Sequence, residues 1–101
     1  MARWNWNELY GTITFAAQSI MKLLPPDRQN NARMAHALKQ LQRVKMGDHR
    51  QLFYVTSDIH MLSFDAVSAR HYYAHQNSLP EHFTEFQEHQ AMLAYALRYL
   101  S

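Results

Sequence analysis

Apolar residues recur along this chain at steps of three and four rather than two, in four stretches separated by the few residues that break helices. The first stretch puts Trp6, Leu9, Tyr10, Ile13, Ala17, Ile20 and Leu24 on one stripe, preceded by Asn5 with Glu8 three residues on, the spacing of a capping box. It ends before Pro25-Pro26, because the residue preceding a proline avoids the helical region. Asp27 is placed to cap a second helix whose Met34, Ala37, Leu38, Leu41 and Val44 share a face and which Gly47 would end. Asp48 would cap a third, in which Leu52, Val55, Ile59, Leu62, Ala66, Ala69 and Tyr73 keep the pattern over three heptads. Phe53, Tyr54, Met61, Phe64, Val67 and Tyr72 lie off that stripe. The pattern therefore predicts a central helix from Leu52 to Tyr73, packed on several sides, with Ser57-Asp58 as its weak point. Ser78-Leu79-Pro80-Glu81 reads as the start of a fourth helix, continued by Phe83, Phe86, Leu93, Leu97 and Leu100.

These elements predict an all-α protein, a compact bundle of about four helices forming a single domain over residues 1–101. A hydrophobic share of 48% against 18% charged residues excludes a disordered tail, which would be poor in apolar residues. No apolar run is long enough to span a bilayer, and the start MARWNWNELYG lacks the pattern of a secretory signal; the expectation is a cytoplasmic protein with no membrane contact. The absence of cysteine removes disulfides, thiolate catalysis and cysteine zinc sites together. With only Gly11 and Gly47, no glycine-rich phosphate loop can form. No cofactor is expected.

Charge divides the chain. Eight of the ten Lys and Arg lie in residues 1–50, while Asp58, Asp65, Glu81, Glu85 and Glu88 lie beyond. Such asymmetry serves an external anionic partner, or internal pairing of one helix hairpin with the other. On the second helix Arg33, His36, Lys39, Gln40 and Arg43 share a polar sector, with Arg28 and Arg50 near its ends, a footprint suited to nucleic-acid phosphates or to an acidic protein.

Histidine supplies the candidate chemistry. His71 and His75 are four apart, one side of a helix, and His82, Glu85 and His89 form a second set at steps of three and four. Converging, the five would make a mononuclear metal site; the competing reading places them as boundary residues beside the core. Arg70-His71-Tyr72-Tyr73-Ala74-His75 resembles the short signature of the HEPN family, an arginine, a polar residue, three others and a histidine. Members of that family are α-helical bundles, many of them metal-independent ribonucleases. The resemblance, which covers six residues, implies that Arg70 would hold the scissile phosphate and His75 would act as general acid or base, with His71 at the polar position.

The surplus of aromatics points elsewhere. Helical projection sets Trp4 and Phe15 opposite the first apolar stripe, and Met92, Tyr95 and Tyr99 opposite Leu93, Leu97 and Leu100. A small bundle cannot bury both ridges of its last helix in one core, and exposed Trp, Tyr and Met carry binding energy at protein interfaces. The leading expectation is a non-enzymatic protein-protein interaction module, an adaptor subunit or inhibitor of a larger, nucleic-acid-handling assembly, with these five residues as its partner surface. A symmetric homodimer would bury the same faces.

Overall fold

The computed structural model describes residues 4–24, 29–64, 74 and 79–101, with the backbone alone for 29–31 and 79–82. Among them are four helices and no strands: α1 (Trp6–Leu23), α2 (Gln29–Gln42), α3 (His49–Ser63) and α4 (Leu79–Leu100). Asn5 caps α1, its Oδ1 accepting from the Glu8 N–H at 2.9 Å while its amide donates to Glu8 Oε1 at 3.0 Å. Leu24, held extended at ψ 146° before the proline pair, closes the helix by donating its N–H to the Ile20 carbonyl. Asp48 caps α3 through the Gln51 N–H, at 2.9 Å. The expected Asp27 and Ser78 caps lie outside the described residues.

The helices form a ring in which α1 packs on α2 and α4, and α3 on α2 and α4, with lighter contact between α1 and α3 across the middle. Sequence-adjacent α1 and α2 run antiparallel, since the Tyr10 hydroxyl near the start of α1 donates to the Leu41 carbonyl near the end of α2 at 3.0 Å. That carbonyl, near a helix end, also accepts from the Val44 N–H, so Tyr10 is its second donor. Helices α1 and α4 are antiparallel too, with Trp4 beside Tyr95 and Tyr99 and Phe15 beside His89. The core takes most of the stripes read from the sequence and adds Ala16, Leu23 and Ala96, while Trp6, Tyr10, Phe83, Leu97 and Leu100 of those stripes are only partly buried. Leu9, Ile13, Ala16, Ala17 and Ile20 of α1, Met34 and Leu41 of α2, Leu52 and Ile59 of α3, and Leu93 and Ala96 of α4 have no exposed area.

Two boundaries differ from expectation. Gly47 does not end α2. The helix stops at Gln42, the Val44 N–H bonds to the Leu41 carbonyl in a tighter turn that keeps Val44 buried, and Gly47 serves a separate turn closed by Asp48 N–H to the Lys45 carbonyl. Its φ of 88° is the left-handed conformation that glycine alone adopts without strain. The second correction concerns the helix expected from Leu52 to Tyr73. It begins at His49, runs unbroken through Ser57-Asp58 and ends at Ser63, with Phe64 in the closing turn. The reason is a polar lock at its end: Gln90 Nε2 of α4 donates to the Ser63 carbonyl at 2.9 Å and to its hydroxyl at 3.0 Å, while that hydroxyl donates to the His60 carbonyl at 2.6 Å. Residues 65–73 lie outside the described residues. Nor is α3 packed all round, for Tyr54, Met61 and Phe64 are exposed.

Gly11 sits inside α1 on its exposed side, and a Cβ there would meet nothing within 4 Å. Gly11→Ala should therefore raise unfolding stability by about 0.5–1 kcal/mol, through reduced chain entropy in the unfolded state and better helix propensity. Chemical denaturation measures it; an unchanged or lower stability would show that Gly11 is needed for its backbone or for space.

Candidate interaction surfaces

The aromatic residues gather along the outer seam of α1 and α4. Trp4, just ahead of the Asn5 cap, lies 5.5 Å from the Tyr95 ring and 5.8 Å from the Tyr99 ring, both tilted, and the Tyr99 hydroxyl donates to the Trp4 carbonyl at 3.0 Å. Trp4 and Met92 are partly buried and packed against the core. Phe15, Tyr95 and Tyr99 are not covered: they remain 56%, 54% and 38% exposed. The five residues thus split into two that anchor the seam and three that face outward. Their offset-tilted contacts add to area burial and fix the rings before any partner arrives.

Under Phe15 lies His89. It is 5% exposed, its ring meets the Phe15 ring edge-on at 5.4 Å, and its Nδ1 has no hydrogen-bond partner among the described residues. An unpaired buried nitrogen costs stability, so this spot is held by its hydrophobic surroundings rather than by a polar network. The metal reading gains nothing from it. Among the described residues no group of three or more potential ligands gathers, Glu85 is exposed, and His71, His75 and the His82 side chain lie outside the described residues. Arg70 lies outside them as well, so the structure neither assembles nor separates the Arg70, His71 and His75 set.

The basic sector of α2 occupies the opposite corner of the ring, because α2 and α4 each neighbour α1 and α3 but have little contact with one another. Arg33, His36, Lys39, Gln40 and Arg43 are all exposed. His36 Nε2 and Gln40 Nε2 pair at 3.1 Å, and the cations have no ion-pair partner among the described residues. Internal pairing of the basic half with the acidic half is therefore absent among those residues. Beside this sector an open groove of about 790 Å³ runs between α2 and α3, lined by Arg33, His36, Gln40, Val55, Asp58 and Met61 among others.

Sequence reasoning missed the outer row of α3. It assigned Tyr54, Met61 and Phe64 to burial, whereas Tyr54 stands exposed with the Arg50 guanidinium 5.9 Å from its ring centre, a cation–π contact. The spacing of Tyr54, Asp58 and Met61 at steps of four and three, with a charge in the middle, was the available signal. It missed also that Trp6 meets His49 edge-on at 5.5 Å, which joins α1 to the start of α3 and, with Trp4, Tyr99 and Leu100, lines a shallow pocket of about 550 Å³.

No family model, curated protein or solved structure matches this chain. No described helix is long and apolar enough to cross a membrane.

One titration follows from the geometry. Half-buried His60, its ring edge-on to Phe64 at 4.7 Å, has its pKa pushed below 6.5 by burial, which penalises the charged form. The unfolded chain therefore takes up this proton first as pH falls. The contribution to stability is fully present above 6.5, is lost as pH drops from there toward the folded value, and is then constant. Thermal unfolding of the protein and of His60→Gln across this range should show a shallower acid-side decline in the variant. Parallel curves would mean that His60 titrates alike in both states.

Proposed function

We propose that this protein is a non-enzymatic, cytoplasmic interaction module, an adaptor subunit or inhibitor that meets a protein partner through the α1–α4 seam. One observation carries the reading: Phe15, Tyr95 and Tyr99 stand exposed on adjacent helices while Trp4 holds two of those rings in place. Large rings with few rotatable bonds, already ordered in the free protein, lose little entropy on binding and are typical of the residues that dominate interface energetics. Among the described residues no group of three or more His, Asp or Glu gathers, and Arg70, His71 and His75 lie outside them.

A second reading has its own observation. The exposed row Arg33, His36, Lys39 and Arg43, without carboxylate partners among the described residues, favours contact with a nucleic-acid backbone. Such binding would weaken steeply with salt, because each phosphate contact releases condensed counterions.

Tyr95→Ala should weaken partner binding by about 2 kcal/mol or more while leaving the melting temperature nearly unchanged, because half of the ring is already in solvent. Tyr99→Ala should do the same with a modest loss of stability, since it also frees the Trp4 carbonyl. Calorimetric affinity and melting curves separate the two effects, with Tyr54→Ala on α3 as a control that keeps full affinity. A large stability loss without a binding defect would make the rings part of the core.

A further inference from the structure

Four residues of α4, Glu88, Ala91, Tyr95 and Arg98, recur at steps of three, four and three, so they form one straight strip on the helix surface. All four are exposed, and neither Glu88 nor Arg98 has an ion-pair partner among the described residues. Reversing the strip sets Glu against Arg and Ala against Tyr. Pairing it in parallel sets Glu on Glu, Tyr on Tyr and Arg on Arg.

From this we infer that the strip docks antiparallel on the same strip of a second copy of this chain, across a two-fold axis level with Leu93. Tyr95 of each copy covers Ala91 of the other, and Glu88 of each pairs with Arg98 of the other. The inference rests on reading the α1–α4 seam as an interface and names its occupant.

Four features support this. The strip spans about 15 Å from Glu88 to Arg98, and the small alanine opposite each ring lets the helices approach to about 8–10 Å. A two-fold axis perpendicular to the helices brings identical surfaces together, so the required pattern is one that matches its own reverse, as this one does. Trp4 backs the Tyr95 ring from the side, so the group that must insert is already fixed. Helix α1 adds exposed Phe15 alongside, and Gly11 leaves open space where a side chain would stand. On α3 the exposed residues Arg50, Tyr54 and Asp58 also match their own reverse, with Arg50 against Asp58, but there the two tyrosines meet each other and no small residue receives the ring. One helix pair with a flanking ring buries less than the roughly 1,000 Å² of a tight interface, so the dimer is weak and concentration-dependent.

Charge reversal tests the register with variants that touch no core residue. Sedimentation velocity over a wide concentration range should show reversible dimerisation of the unmodified protein. Glu88→Arg alone places Arg against Arg twice, and Arg98→Glu alone places Glu against Glu twice. Each should weaken self-association by about tenfold or more. Mixed in equal amounts, the two variants have complementary strips, and a one-to-one heterodimer should reappear. Such rescue cannot arise from misfolding. A protein that is monomeric throughout, single variants that dimerise unimpaired, or a mixture that stays monomeric would each overturn the inference. If the protein is monomeric yet Tyr95→Ala still abolishes binding to another protein, the interface reading stands and only its occupant is wrong.

Discussion

The apolar face of α1 has to be kept dry along its whole length, and the arrangement of the other three helices follows from that. Leu9, Ile13, Ala16, Ala17 and Ile20 have no exposed area, and this requires a helix on each flank and a third across the middle. Small residues on the core side, Ala16 and Ala17 on α1 and Ala96 on α4, let the backbones approach closely, while Phe86 fills the core nearer the start of α4. Phe15 and Tyr95 stand on the outer side of the same two helices.

Polar contacts refine this arrangement rather than create it. Tyr10 ties α1 to the end of α2, and Gln90 ties α4 to the end of α3; each supplies a donor to a carbonyl near a helix end. They fix how the helices line up at those ends. The ring then separates two surfaces of different chemistry at opposite corners, cationic on α2 and aromatic with both charge signs on α4. A protein with two such corners can meet two kinds of partner without competition between them.

The stripes of α1 and α2 were legible residue by residue, because apolar spacing and burial report the same physics. Asn5 and Asp48 were legible as caps for a similar reason: the bond they make is local in sequence. What sequence could not show was tertiary. Periodicity past Phe64 gave no sign that Gln90, twenty-seven residues beyond Ser63, would bond to the end of α3. Gly47 signalled a left-handed residue but not that burial of Val44 would draw the chain out of the helix first. For the seam, projection separated the tyrosines from the leucines on α4. It could not reveal that Trp4 leans on Tyr95 and Tyr99 from the other end of the chain.

The central claim is that the α1–α4 seam, and no other exposed apolar group, is where this protein is covered by another chain. Hydroxyl-radical footprinting with residue-resolved mass spectrometry, compared between dilute and concentrated solution, tests it directly. The account predicts that Tyr95, Phe15 and Tyr99 become protected at high concentration, while Met46, Tyr54 and Met61, also exposed in the single chain, keep their reactivity. Protection of the α3 row with an unchanged seam, or no protection at any concentration, would contradict it.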